Sequence, residues 1–238
     1  MWPLPPLKPC RFLKRRNRFL VEADVGPLHL PNSGRMGELL LPGTPCWYHP
    51  RPTPKTVGRM ILVESQGVLV GVDASLANRL LEVLIREGFF GPLGPGPGNL
   101  RREVPLRGER LDFWARIGGK EAFLEAKNCN RVEEGLALFP DAPTPRGARH
   151  LRLLAAFARD GGLAYAVWMV QHPLAQAFAL DPEDRLLHRA AREAKEAGVR
   201  LLAFRIRPTL EALYLDGELP WVFLPPKENL EGHHQGHG

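Results

Sequence analysis

The sequence predicts a two-part chain: a small β-barrel over residues 1–73, an α/β domain with a mixed sheet over 74–225, and a polar tail over 226–238. Three observations carry that expectation. Short apolar runs broken by Pro and Gly fill the first seventy residues, helical spacing begins near Asp73, and beyond it strands and helices alternate.

In order, NRFLVEADV, LHL, GELLL, CWYHP, RMILVES and VLVGVD read as strands separated by turn chemistry. About five short strands in that length make a small barrel or sandwich. An oligonucleotide-binding (OB) barrel is the natural candidate, because the leading segment KPCRFLKRRNRF is basic and carries Phe12 and Phe19. DASLANRLLEVLIREG then sets Leu76, Leu80, Val83 and Leu84 at helical spacing, with Asp73 or Ser75 as cap and Gly88 as stop. GPLGPGPGN is a loop by composition and LRREVPL a strand. RLDFWARIGGKEAFLEAKN is a hairpin about Gly118-Gly119. A second helix opens at Thr144 with Pro145 in its first turn. LAYAVWMVQ is a strand buried on both faces. A third helix follows Asp181-Pro182 and stops at Gly198, and VRLLAFRI is the last strand. The tail KENLEGHHQGHG, with His233, His234 and His237, is expected to be disordered.

With 238 residues, 44% hydrophobic and 24% charged, the chain has the make-up of a soluble protein with one large core or two modest ones. Cys10, Cys46 and Cys129 fall in no metal-ligand spacing and fit a reducing cytosol. Prolines break up MWPLPPL, and the apolar run LAYAVWMV is too short to span a bilayer. The expectation is a cytoplasmic protein with no membrane partner; self-association stays open. The net charge of +6 favours a polyanion such as nucleic acid, although a solvated strand face suits the basic run equally well. No Gly-rich nucleotide cradle, nucleophile elbow or zinc spacing occurs.

The hairpin poses a chemical question. If Ile117 pairs with Lys120, Asp112 lies directly opposite Glu125, and like charges facing across an antiparallel pair are destabilising. Trp114 and Phe123 share their face, so the hairpin is a covered one and the acids need neutralising. Lys127 follows on that face, diagonal to Asp112. A divalent cation between the carboxylates answers the question, and oxygen ligands select a hard ion, Mg²⁺ or Mn²⁺. Asp112, Glu125 and Lys127 then outline a phosphodiester-hydrolysing site. The alternative is a structural ion-pair network, with Lys127 on Glu125 and Arg110 on Asp112; spacing alone does not separate the two.

The pattern of Asp112, then Glu125-Ala126-Lys127, resembles the PD-(D/E)XK nuclease signature, and the order of helix, strands, helix and strand is that fold's. A wider set, RRNRF (15–19), HLPNSGRM (29–36), RLDF (110–113), EAKN (125–128) and FPDAPTPRGARHL (139–151), together resembles the sugar fermentation stimulation family, SfsA, over nearly the whole chain. That resemblance implies an N-terminal OB-type barrel, a C-terminal PD-(D/E)XK-like domain, DNA binding, and a link to maltose metabolism read as transcriptional regulation. Family membership leaves catalysis open. This chain has EAKN where the family is expected to have EVKN. Nucleases of this fold often add an acid from the first helix. Glu82 is the candidate here, yet the family pattern sets its glutamate at the position of Val83, and Glu82 lies off the leucine stripe, which favours a solvated helix residue. Glu103 is the alternative third ligand.

Candidate DNA contacts are Arg15, Arg16 and Arg18 in the basic run, and Arg35 on the Pro-Asn-Ser-Gly turn with His29 beneath it. Arg146 and Arg149 lie at a helix start whose free N–H groups attract anions, where Gly147 would let a phosphate approach the backbone. His150 reads as packed or capping, and Asp141 as a partner for a backbone N–H. Three functions compete: a DNA-binding, metal-dependent nuclease; a non-catalytic DNA-binding regulator on the same scaffold; and a sugar-metabolism enzyme, for which the sequence shows no site.

Overall fold

Alternation in CRFL turns Cys10 and Phe12 inward and leaves Arg11 and Leu13 in solvent, as period-two patterning requires. The computed structural model describes residues 1–226, so the tail expectation for 227–238, His233, His234 and His237 included, lies outside the described residues.

The inward stripe seeds a barrel. Strands β2 (Lys8–Asn17), β3 (Leu20–Ala23), β4 (Gly26–His29), β5 (Pro45–Pro50) and β6 (Gly58–Ser65) pair in the ring β4-β3-β2-β5-β6, and a parallel β4–β6 contact closes it. β7 (Val68–Gly71) extends β6 as a hairpin. Phe12, Val21, Leu28, Met60 and Val63 fill the interior. Two strand expectations fail here. NRFLVEADV is not one strand: β2 ends at Asn17, Arg18 and Phe19 form a turn, and β3 takes up the run only at Leu20. GELLL is no strand: the Leu39 and Leu40 N–H groups both donate to the Met36 carbonyl, forming a turn that buries Met36 and Leu39 as a plug.

The second domain is a seven-stranded mixed sheet. Its strands, in spatial order, are β1 (Trp2–Pro3), β16 (Ala212–Glu218), β15 (Arg200–Pro208), β13 (Leu163–Val170), β10 (Lys120–Cys129), β9 (Glu109–Ile117) and β8 (Leu100–Leu106). The three central strands β10, β13 and β15 run parallel and the flanking pairs antiparallel. Helix α1 (Leu76–Arg86) covers one face; α2 (Pro145–Arg159) and α3 (Arg185–Ala197) cover the other. β13 shows why its sequence is apolar throughout: Ala166, Trp168 and Val170 face α2 and α3, whereas Tyr165, Val167 and Met169 face α1. The first strand, β1, pairs with β16, so the opening residues belong to the second domain's sheet and not to the barrel. A small sheet of β11 (Val132–Glu133), β12 (Leu136–Phe139) and β14 (Ala177–Leu180) was not foreseen from sequence.

The caps also refine the expectation. Thr144 caps α2, its Oγ1 accepting from the Gly147 N–H at 3.0 Å. Asp184, not Asp181, caps α3, accepting from the Leu187 N–H at 3.0 Å; Asp181 instead receives Arg131 Nη1 at 2.7 Å. Ser75 precedes α1 without a side-chain cap, and Asp73 takes the Ser75 N–H at 3.0 Å together with a two-point bond from Arg59. Among the described residues no helix is long and apolar enough to cross a membrane.

Candidate active site at the domain boundary

Gly118 and Gly119, at φ of 57° and 79°, supply the two positive-φ positions of a tight hairpin turn. That turn sets the register from Lys120↔Ile117 to Leu124↔Phe113, which brings Asp112 and Glu125 opposite one another as the sequence predicts. At the acids the regular ladder gives way. The Asp112 N–H donates to Glu125 Oε2 at 3.2 Å, and the Ala126 N–H donates to Asp112 Oδ2 at 2.7 Å. Each carboxylate thus takes the backbone donor that a ladder carbonyl would have taken, which parts the strands at the point where the acids sit.

The surroundings of the two acids differ. Asp112 receives Asn78 Nδ2 from α1 at 2.9 Å. Burial, then the charge of Glu125 and its hydrogen bond, push the Asp112 carboxyl up to about 7, against a partial pull from the Ala126 N–H and Lys127. Glu125 is 4% exposed, and its burial would raise it too. Its contacts outweigh that and hold it below the usual carboxylate range: His150 Nδ1 at 3.2 Å, Lys127 Nζ at 3.8 Å, and Asp112. One acid of the pair is therefore poised to ionise near neutrality while the other is held ionised, the usual consequence of two carboxylates in one site. The donor set fits a hard divalent cation: two facing carboxylates at the foot of an open cavity.

The other expected residues divide. Lys127 lines the cavity and pairs with Glu125, but Arg110 bonds Glu103 at 3.8 Å and not Asp112, so only half of the ion-pair alternative exists. Glu82 is not solvated as expected; at 7% exposed it accepts Arg102 Nε at 2.7 Å and lies 3.6 Å from Arg86. Glu103 is exposed. Among the described residues no three His, Cys, Asp or Glu side chains gather around one metal-sized point, so neither Glu82 nor Glu103 completes a ligand set with the pair.

Of the arginines, Arg18 and Arg146 line the cavity of about 600 Å³ above the acids. Arg15 does not face a ligand: its Nη atoms donate to the carbonyls of Arg18, Asn32, Gly34 and Arg35, which pins the Pro-Asn-Ser-Gly turn. Arg16 is taken by Glu22, its Nε at 2.7 Å, and Arg149 by Glu109 at 2.9 Å. Arg35 lines a neighbouring hollow with Arg131 and Asp181. His29, expected beneath the Pro-Asn-Ser-Gly turn, sets its Nδ1 3.2 Å from the Phe19 carbonyl. Gly147 leaves room for the helix cap, since a Cβ there would fall 2.8 Å from Thr144 Oγ1.

Sequence reasoning missed Asn78, the role of His150 beside Glu125, and a buried amide chain across the domain boundary. Asn32 Nδ2 and Asn128 Nδ2 both donate to Asn130 Oδ1, at 2.8 and 2.9 Å, and Gln171 Nε2 donates to Asn128 Oδ1 at 2.8 Å. Asn130 also donates to the Gly71 carbonyl of β7. Asp141 bonds a backbone N–H as expected, but the partner is Met36 of the barrel, at 2.6 Å. The signal for Asn78 was one turn of helix away from Glu82, on the inward side of α1.

A five-strand OB barrel joined to a mixed sheet covered by helices, with an acid pair and a lysine at the seam, defines the class of protein. Residues 13–72 match the model of the SfsA N-terminal OB domain, and residues 75–212 match that of the sugar fermentation stimulation protein RE domain. The chain belongs to the sugar fermentation stimulation protein family, SfsA. The sugar fermentation stimulation protein homologue of Chloroflexus aurantiacus is 36% identical over 90% of this chain and 85% of its own length. That of Thioalkalivibrio sulfidiphilus is 38% identical over 84% of this chain and 88% of its own. The solved structure of Pyrococcus furiosus SfsA in complex with Ca²⁺ superposes with a TM-score of 0.82 at 28% identity, covering 93% of this chain and 99% of that one.

Proposed function

We propose that this protein binds DNA and hydrolyses phosphodiester bonds with Mg²⁺ or Mn²⁺ at Asp112, Glu125 and Lys127, acting in the cytoplasm in the regulation of sugar (maltose) metabolism to which its family is linked. The observation that carries the reading is the buried pair of opposed carboxylates, which the protein's own cations neutralise only in part. The relative from Pyrococcus furiosus was solved with Ca²⁺, an oxygen-seeking divalent ion, which supports a metal here.

Asp112 and Glu125 would hold the ion, which when bound supplies charge neutralisation at phosphorus and a more acidic water. The chain's own residues do the rest. Lys127 places its ammonium beside Glu125, where it orients the attacking water and offsets charge on the non-bridging oxygens. His150 and the Ala126 N–H hold the two carboxylates in place. Arg18 and Arg146 draw the flanking phosphates into the cavity. The water oxygen bonds to phosphorus as it releases a proton to solvent, the bond to the leaving sugar oxygen breaks, and that oxygen takes up a proton from solvent.

The test is cleavage of single- and double-stranded DNA with Mg²⁺ or Mn²⁺, wild type against Lys127→Ala, with binding followed in parallel. Metal-dependent cleavage that the variant loses while keeping its affinity supports the reading. A second reading, a DNA-binding regulator that keeps the scaffold without catalysis, is favoured by one observation: Glu82, the expected third ligand, is taken by Arg102 and Arg86. Salt-sensitive binding with no cleavage by either protein selects it.

A further inference from the structure

The acid pair lies at the foot of a cavity walled by both domains. Arg18, Asn32 and Ser33 form the barrel side, and residues 138–146 the opposite side. The barrel wall is fixed at three points: Arg15 binds four carbonyls around the turn, Asn32 Nδ2 bonds Asn130 across the boundary at 2.8 Å, and the Met36 N–H bonds Asp141 at 2.6 Å. Glu125 and Lys127 are both largely buried beneath it, with side chains 5% and 12% exposed.

A phosphodiester therefore has to come down into a space of about 600 Å³ to meet these groups. That is the size of a small-ligand site, roughly 300–1,000 Å³. A B-form duplex is a stiff cylinder whose major groove alone is about 12 Å wide, and it cannot be lowered past a wall that is bonded in place. A single strand can enter, because its backbone bends and its base faces are free. The cavity offers what such a strand needs. Pro143 offers an exposed apolar surface at the cavity wall, and Arg18, Arg146 and Lys127 bring cations from three separate elements to the phosphates.

We infer that the site takes single-stranded DNA, threaded between the barrel turn at residues 32–36 and the entry to α2, and reaches duplex only where its strands have come apart. This rests on the phosphodiester reading above. The test compares a short labelled single strand with the blunt duplex of the same sequence. Binding is followed by anisotropy without metal and cleavage with Mg²⁺ or Mn²⁺, in the wild type and in Ser33→Trp, whose indole would fill the cavity from the barrel side. Ser33→Ala, which leaves the cavity open, is the companion variant, and a thermal melt checks that each variant folds.

The expected result is roughly tenfold tighter binding of the single strand than of the duplex, the size of one base-stacking contact. Cleavage should show the same preference. Ser33→Trp should remove that preference while Ser33→Ala keeps it. Equal binding and cleavage of duplex, or a folded Ser33→Trp that binds the single strand unchanged, would overturn the inference. If nothing is cut but the single-strand preference and its loss in Ser33→Trp persist, the hydrolytic reading fails and the inference stands. Cleavage of duplex alone sustains the hydrolytic reading and refutes the inference.

Discussion

At the scale of single residues, Asp112 is the acid of the pair that is pushed far above its free value. Its carboxyl titrates near 7 in the folded chain against 3.8 for a free one, because burial and Glu125 disfavour its charge. The folded state therefore holds a proton that the unfolded state has lost, and stability declines as pH rises from about 4 to about 7. Asp112→Asn removes that burden. Its gain in stability should be larger at pH 8 than at pH 5, by a few kcal/mol at most; urea unfolding at both values checks it, and an equal gain at both would contradict the assignment. Glu125 has the opposite sign. His150 and Lys127 favour its charged form, so its contribution is present above the free carboxyl range and fades as pH falls through its lower folded value. Glu125→Gln should destabilise the chain at pH 7 by about 1–3 kcal/mol, since it leaves His150 and Lys127 with one carboxylate oxygen fewer to bond. The opposed acids were legible because a Gly-Gly turn fixes register in sequence. Asn78 and His150 were not, since each meets its acid only after a helix has packed on the sheet.

At the scale of elements, α2 delivers His150 and Arg146 to the cavity, and its first turn depends on a contact between Thr144 and Gly147. A Cβ at Gly147 would lie 2.8 Å from Thr144 Oγ1 and 3.0 Å from its Cγ2. In a helix, Ala normally gains about 1 kcal/mol over Gly. Here Gly147→Ala should give no gain or lose about 1 kcal/mol, and Thr144→Ala should lose about 1 kcal/mol. With Thr144→Ala already in place, Gly147→Ala should become stabilising, and a double-mutant cycle by denaturant melts measures it. Strict additivity would show that the cap contact does not set the glycine. Elements with a long, clean period, such as β9, β10, β13 and the three helices, were readable from sequence. GELLL misled because its leucines are buried by a turn and not by pleating. β11, β12 and β14 are short, and their pairing is a tertiary fact that no local pattern announces.

At the scale of the whole molecule, the seam between the domains holds the site together. Asn130 accepts from Asn32 and Asn128 and donates to the Gly71 carbonyl, all in buried surroundings. Asn130→Ala should cost about 1–3 kcal/mol by leaving those groups without partners, and should loosen the barrel turn. Denaturant melts together with proteolysis at residues 32–36 test both effects; wild-type stability and protection would contradict them. The two-domain plan was legible, because the change from strand period to helical period near Asp73 is sharp. The amide chain and the docking of β1 on the far edge of the second sheet were not, because both join residues far apart in sequence.

On the reading proposed above, Asp112 and Glu125 together hold a divalent cation. The most direct measurement is calorimetric titration of Mn²⁺ into the wild type and into Asp112→Asn at pH 8. Binding by the wild type that the variant loses is the predicted result. No binding by the wild type, or equal binding by both, would contradict it and return the acid pair to a structural role.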